Sequence, residues 1–349
     1  MRSIFSFLLA CLLLLQCFPL SARAFLKDFR RDIKERLDPG KSYGLYQKAL
    51  EMEAPFDSVC RRIESNVQQS DWEIITFWDL DIPSACGTRA RVYLIRNEDY
   101  DRAVLAEGAR YLMFLPIRIG VYRKGETVVV VFTNPELLAK VFFADLPFAE
   151  QDKMVAMANV VKKDLVTFCI KGMEGTILTE QLPPVRNDRD IRFFWRGMQD
   201  QFDVIRHIPL TGDPAGAIKK VCDRLEKGMR INMNGWHPVY RDMIADRACL
   251  MGVTNRHIEN LTLNYTGLKW PSSRDPDSCS GLYHLTQFPV EILVYVEKGE
   301  IRIGILDQFW RMRFYLWDDP FRTGAAFMAR DPNFSGRIYK SLLGIIGYP

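Results

Sequence analysis

Leu115–Phe132 reads LPIRIGVYRKGETVVVVF, and Phe288–Ile305 reads FPVEILVYVEKGEIRIGI. Each is a strand, a turn carrying Lys-Gly-Glu and a second strand. In the first, Ile117, Ile119 and Val121 alternate with Arg118, Gly120 and Tyr122. A period of two sets the aliphatic residues on one strand face and Arg118 on the other. Gly125 supplies the positive φ that a tight hairpin needs. Val128–Phe132 returns as an apolar run, which suits a strand covered on both faces. In the second stretch Val290, Ile292 and Val294 repeat the aliphatic set and Pro289 repeats Pro116. Lys298-Gly299-Glu300 repeats the turn, one residue later. Glu291 takes the place of Arg118, which reads as an outward position with no fixed charge. Proline, alternation, Val-Tyr and Lys-Gly-Glu in one order argue for one fold present twice.

Outward from the first hairpin, Ser42–Leu50 reads as a strand. Ala54–Gln69 reads as a helix, with Phe56, Val59, Cys60, Ile63 and Val67 at helical spacing. Trp72–Leu80 and Ala90–Arg96 read as strands, and Pro135 opens a helix to about Phe143 in the favoured first-turn position. The order is β-α-β-β-β-β-α. Phe148–Leu182 reads as mostly helical, and the proline-bearing stretch from Gln181 to Asp188 as a linker. The second copy begins near Phe202: a strand at Val204–Leu210, a helix at Pro214–Lys227, and strands at Gly235–Ile244 and Cys249–Asn255. Leu261–Tyr265 reads as a continuation of the sheet and Ser335–Ile346 as a closing helix.

The chain has 349 residues, 48% hydrophobic and 26% charged, the composition of a globular protein with room for two domains. Met1-Arg2-Ser3 is a basic start, Ile4–Leu15 an apolar core, and Ser21-Ala22-Arg23-Ala24 a small-residue cleavage site. Residues 1–24 are therefore expected to be a secretory signal peptide, and the protein exported to the periplasm or extracellular space. An uncleaved anchor is the alternative. Residues 25–41 follow as an amphipathic helix, in which Phe25, Leu26, Phe29, Ile33 and Leu37 share a face; residues 25–37 offer a peripheral membrane contact. The formal charge of +4 falls to +2 without Arg2 and Arg23, which argues against nucleic acid as a partner.

Six cysteines lie beyond the signal segment: Cys60, Cys86, Cys169, Cys222, Cys249 and Cys279. An even number in an exported chain suggests disulfides. The repeat suggests Cys60–Cys86 and Cys222–Cys249, leaving Cys169 with Cys279. Aligning Trp72 with Trp236 and Asn97 with Asn255 sets Cys86 and Cys249 a few residues apart, and buried free thiols stay open as the alternative.

Leu115, Pro116, Val121, Tyr122, Gly125, Val128, Val130 and Pro135, in this spacing, resemble the domain-of-unknown-function 302 family. The likeness covers Tyr43–Phe143, and a weaker one about Phe202–Pro320, where Pro289, Val294, Tyr295 and Gly299 hold. The resemblance implies an α+β fold of the TATA-binding-protein-like class, β-α-β4-α, with an antiparallel sheet covered by helices, in two tandem lobes. The expected domains are a first lobe at 42–182 with its core at 43–143, a linker at 183–201, and a divergent second lobe at 202–349. The family brings no established activity and no catalytic residues.

The residues themselves give no catalytic constellation, metal site or cofactor motif. The histidines, His207, His237, His257 and His284, lack the helix spacing of a zinc site, and there is no Cys-x-x-Cys. Asp79 with Asp81 and Asp275 with Asp277 read as turn formers. The most unusual local composition is FWRMRFYLW at Phe309–Trp317. Trp310, Arg311, Arg313, Tyr315 and Trp317 are a candidate binding face, since aromatics and Arg concentrate at hot spots, with core packing as the alternative. The expected function is an exported, non-catalytic binding protein, holding a small apolar ligand or an unknown protein partner. A thiol-based redox accessory or enzyme of the envelope, and an envelope structural factor, are the alternatives.

Overall fold

A computed structural model describes residues 40–82, 86–115, 117–188, 191, 201–231, 235–265, 281–316 and 332–347. The expected signal peptide and the amphipathic helix up to residue 39 lie outside them.

The first half runs β1 (Ser42–Glu53), α1 (Phe56–Gln68), β2 (Glu73–Asp79), β3 (Ala90–Arg96), α2 (Glu98–Glu107), a short 3-10 helix (Ala109–Phe114), β4 (Ile117–Lys124), β5 (Thr127–Thr133) and α3 (Pro135–Phe142). α4 (Phe148–Ile170) and β6 (Thr176–Asn187) follow. The second half then repeats the series: β7 (Phe202–Pro209), α5 (Pro214–Ile231), β8 (Trp236–Ile244), β9 (Ala248–Asn255), α6 (Arg256–Tyr265), a 3-10 helix (Leu282–Gln287), β10 (Val290–Glu297), β11 (Glu300–Leu306) and α7 (Gln308–Leu316). α8 (Phe334–Ile346) closes the described chain.

The sheets are ordered β2-β3-β4-β5-β1-β6 and β8-β9-β10-β11-β7. Apart from β6 they are the same sheet, and their paired strands are antiparallel, so the fold is α+β as expected. Irregularities recur at matching places. β2 slips between Ile74 and Thr76, as β8 does between Pro238 and Tyr240. β1 slips between Lys48 and Leu50, as β7 does where it pairs Ile303 and Gly304. From each 3-10 helix to the helix after β5 or β11, equivalent residues stand 173 apart, the separation of Arg118 from Glu291. Only the hairpin turns differ. Gly125 alone takes positive φ in the first, whereas Lys298 and Gly299 both do in the second. The Lys-Gly-Glu motif has slipped one place across a turn of constant length.

Four expectations are corrected. The stretch after β3 is helix α2, started by Asn97, whose side chain accepts from Tyr100 N at 3.1 Å. Its counterpart, read as more sheet at Leu261–Tyr265, is α6, where Asn255 accepts from His257 N and Ile258 N. The proline-bearing part of the expected linker is strand: β6 pairs at the sheet edge beside β1, where a missing N–H is tolerated. The helix before it ends at Ile170.

The fourth correction concerns the sheets' second faces. One face of the first sheet lies under α1, whose Glu64 accepts from the Tyr93 hydroxyl at 2.7 Å. The other face is not outward. A Cβ on Gly120 would lie 2.3 Å from Leu285 Cδ1, so β4 packs on the second half's 3-10 helix. Reciprocally, β10 packs on the first half's. The halves thus meet face to face about an approximate two-fold axis. Both sheets belong to one compact unit, Tyr43–Arg186 with Asp190–Pro349.

Candidate functional site

Arg118 and Glu291 occupy matching places in β4 and β10, and they meet. Each is almost wholly buried, and the Arg118 guanidinium donates to Glu291 Oε1. A period-two strand buried on one face would have sent both to solvent. Here the second face is buried too, and a buried charge must be paired. Burial pushes the Glu291 carboxyl up, opposed first by Arg118 and then by Arg311. Arg118 is held above its ordinary value by Glu291 against the pull of burial.

Around this pair runs a polar seam. α7 places Arg311 beside it, 4% exposed. Arg311 Nη2 donates to Gln287 O at 2.6 Å. Its guanidinium carbon stands 5.9 Å from the Phe288 ring centre and 5.6 Å from that of Tyr315. Burial lowers the Arg311 pKa, with Glu291 opposing. The Tyr315 hydroxyl is pushed up to about 12 by burial, with Arg118 pulling the other way. Two donors converge on Tyr315 O: Tyr46 Oη at 2.9 Å and His284 Nδ1 at 2.8 Å. Among the described residues, Arg118 Nε, Tyr240 Oη, Thr286 Oγ1, both amide atoms of Gln287 and Gln308 Oε1 are buried without a hydrogen-bond partner.

The seam has two flanks related by the approximate two-fold. On one, Glu259 of α6 accepts from Trp78 Nε1 at 3.3 Å, Asp81 N at 3.2 Å and the Thr254 hydroxyl at 2.5 Å. On the other, Asp101 of α2, four residues past its cap as Glu259 is past its own, has no comparable partners; its Oδ1 is buried and unpaired. Asp242 stands near it, paired with Arg96, which also holds Glu73. Burial, and then Asp242, push the Asp101 carboxyl up to about 7.

The expected binding face is interior. Trp310, Arg311 and Tyr315 are buried. Trp310 and Phe314 stack with ring centres 5.1 Å apart, and Phe142 of α3 packs edge-on to Trp310 at 5.7 Å. Arg313 is half-buried over Phe309, at 5.8 Å. Trp317 lies outside the described residues. The helical spacing on α7 turns most of the group inward against α3, so Arg311 serves the seam and not an open surface.

The cysteine scheme is also corrected. Cys60, Cys169, Cys222 and Cys249 are buried free thiols, so Cys60–Cys86 and Cys169–Cys279 are not formed. Cys86 is disulfide-bonded, and Cys279 lies outside the described residues. Cys60 sits near Tyr93 with its thiol pushed up by burial. Cys222 and Cys249 are neighbours across α5 and β9 without a bond. The Cys222 thiol is pushed up by its hydrogen bond to Cys249. The Cys249 thiol is lowered by the same bond, and further by Arg241. A depression on α4, lined by Asn159, Lys162, Lys163 and Val166, gathers groups from one helix and offers no comparable chemistry.

Reading the sequence missed Arg118, Glu291, Asp101, Glu259, Thr286, Gln287 and Gln308. For Thr286 and Gln287 a usable signal was present: each is polar where the matched residue of the first half, Met113 or Phe114, is apolar.

No family model and no curated protein matches the chain. Among solved structures, an uncharacterised conserved DUF302 protein from Bacillus stearothermophilus is similar over 36% of this chain and 95% of its own, with 15% identity and a TM-score of 0.30. The di-domain ARO/CYC BexL of the BE-7585A biosynthetic pathway matches over 88% of this chain and 97% of its own, with 6% identity and a TM-score of 0.19. DynU16, a protein of the dynemicin biosynthetic locus, matches over 89% and 98%, with 11% identity and a TM-score of 0.18. The first of these belongs to the family that the hairpin residues resemble.

Proposed function

We propose that this is an exported, non-catalytic binding protein made of two tandem copies of the domain-of-unknown-function 302 unit, and that its ligand sits in the seam between the copies. One observation supports this reading above the others. At the positions of Met113, Phe114, Leu138 and Phe142 in the first half, the second half carries Thr286, Gln287, Arg311 and Tyr315. All eight are buried. The first half builds the same elements with apolar residues, so the fold itself does not call for the polar ones. Buried polar groups without partners cost about 1–3 kcal/mol each, and departures of this kind from local consistency gather at functional sites. The seam's chemistry favours a small polar ligand over an apolar one.

The test compares the natural chain with a variant carrying the first half's residues, T286M/Q287F/R311L/Y315F. Native mass spectrometry of both, isolated in the same way, should find a small molecule on the natural chain and none on the variant. Finding the same adduct on both, or on neither, contradicts the proposal.

A second reading, a thiol-based redox accessory, draws support from Cys249, whose thiol is lowered by Cys222 and Arg241. Alkylation of the folded protein separates it from the first. Modification of Cys249 ahead of Cys60 and Cys169 is its expected outcome, and equal protection of all three contradicts it.

A further inference from the structure

We infer that the seam binds a small anion, a carboxylate or a phosphate group, with Arg311 as its principal ligand; this rests on the binding function proposed above and names its ligand class. Around the axis, two buried cations share one carboxylate among the described residues. Glu291 is paired with Arg118, and Arg311 stands beside the pair without a direct carboxylate contact of its own. Its one hydrogen bond is to a backbone carbonyl, Gln287 O. Glu291 supplies the leading favourable charge near it, and the faces of Phe288 and Tyr315 add to this. A guanidinium carries five N–H donors in a planar fork suited to two oxygens of one anion. Two buried donors on the 3-10 helix that α7 packs against are likewise unmatched: the Gln287 amide nitrogen and the Thr286 hydroxyl. Gln308 lies one turn before Arg311 on α7 and faces the same interior.

The equivalent of Arg311 in the first half is Leu138, itself buried. The helix and its packing therefore accept an aliphatic side chain at this place. A second cation there, sharing Glu291 with Arg118 among the described residues, has a physical reason if further counter-charge arrives with the ligand. The aromatic faces on either side would hold the guanidinium flat and exclude water from the contact, which strengthens a charge-assisted hydrogen bond. A neutral ligand would leave Arg118 and Arg311 sharing the single carboxylate of Glu291, and a cation would be repelled.

The probes are sodium acetate and sodium phosphate, titrated against the full chain at constant ionic strength maintained with chloride. The readout is the thermal unfolding midpoint of the natural protein and of R311L, the residue of the first half. One probe, acetate for a carboxylate site or phosphate for a phosphate site, is expected to raise the natural midpoint by about 2–5 °C at saturation. R311L should fold, unfold no earlier than the natural chain in chloride alone, and show no response to either salt. An unchanged natural midpoint with both probes, or an equal rise in R311L, overturns the inference. Native mass spectrometry distinguishes the two levels of failure. A neutral compound bound to the natural chain, with no anion response, overturns the anion and leaves the binding function standing. No bound compound and no response overturns both.

Discussion

The two halves solve one packing problem with different residues. From the 3-10 helix to the helix behind the hairpin they match position for position, yet the first half fills its side with Met113, Phe114, Leu138 and Phe142, and the second with Thr286, Gln287, Arg311 and Tyr315. In the first half this yields an aromatic cluster, with Phe114 5.9 Å from Phe142 and 5.3 Å from Phe143, ring centre to ring centre. In the second it yields a cation on a backbone carbonyl and several polar groups without partners. The flanks diverge in the same way. Glu259 is saturated by three donors, whereas its counterpart Asp101 has none of them and faces a second carboxylate, Asp242. A backbone that repeats while its interior chemistry does not separates what the fold requires from what has been added to it.

Substitutions at matched positions sharpen the comparison. The largest effect is expected at the axis. Arg118→Met strands Glu291 in the interior and should lose about 3–5 kcal/mol in a denaturant titration. Asp101→Asn should do the opposite at alkaline pH. The folded-state pKa of Asp101 is raised, so its contribution to stability is complete below about pH 4 and is lost as pH rises to about 7. Relative to the natural chain, the variant should be equal near pH 4 and more stable at pH 8 by up to about 4 kcal/mol, read from unfolding curves at the two pH values. Glu259→Gln, on the other flank, should instead cost about 1–3 kcal/mol by placing an amide NH2 against donors. Smallest is Gly120→Ala. The new methyl meets Leu285 and Thr286 side chains, which must shift, at a cost of about 1–2 kcal/mol. The matching position in the second half holds Leu293, fully buried, so an equal tolerance at both would break the asymmetry.

Much of this architecture was legible. Alternation at Ile117–Val121 and Val290–Val294 identified the central hairpins, and the repeated Pro, Val-Tyr and Gly pointed to the order of strands that both sheets share. The equivalence of Asn97 with Asn255 was visible as well, although its meaning as a pair of helix caps was not. Asn97 precedes Glu98 and Asp99, acidic residues that favour a helix start, and the signal was overlooked beside the stronger strand pattern. Thr176–Asn187 deceived through its prolines, because nothing local marks a strand as an edge. What no periodicity could reveal is that each sheet's second face is buried by the other half. Arg118 and Glu291 look like solvent-facing residues in isolation, since the pattern of one strand carries no information about a partner 173 residues away. The candidate site was hidden for the same reason: α7 reads as an aromatic-basic surface until α3 is packed against it.

The central claim is that the two halves meet face to face with positions 118 and 291 as each other's partner. Exchanging the two charges tests it most directly. Arg118→Glu and Glu291→Arg, made singly, each set like charges together in the interior and should be strongly destabilised in urea titration. The double variant R118E/E291R should recover to within about 2 kcal/mol of the natural protein. A double variant as unstable as the sum of the two singles would contradict the pairing, and with it the two-fold packing of the halves.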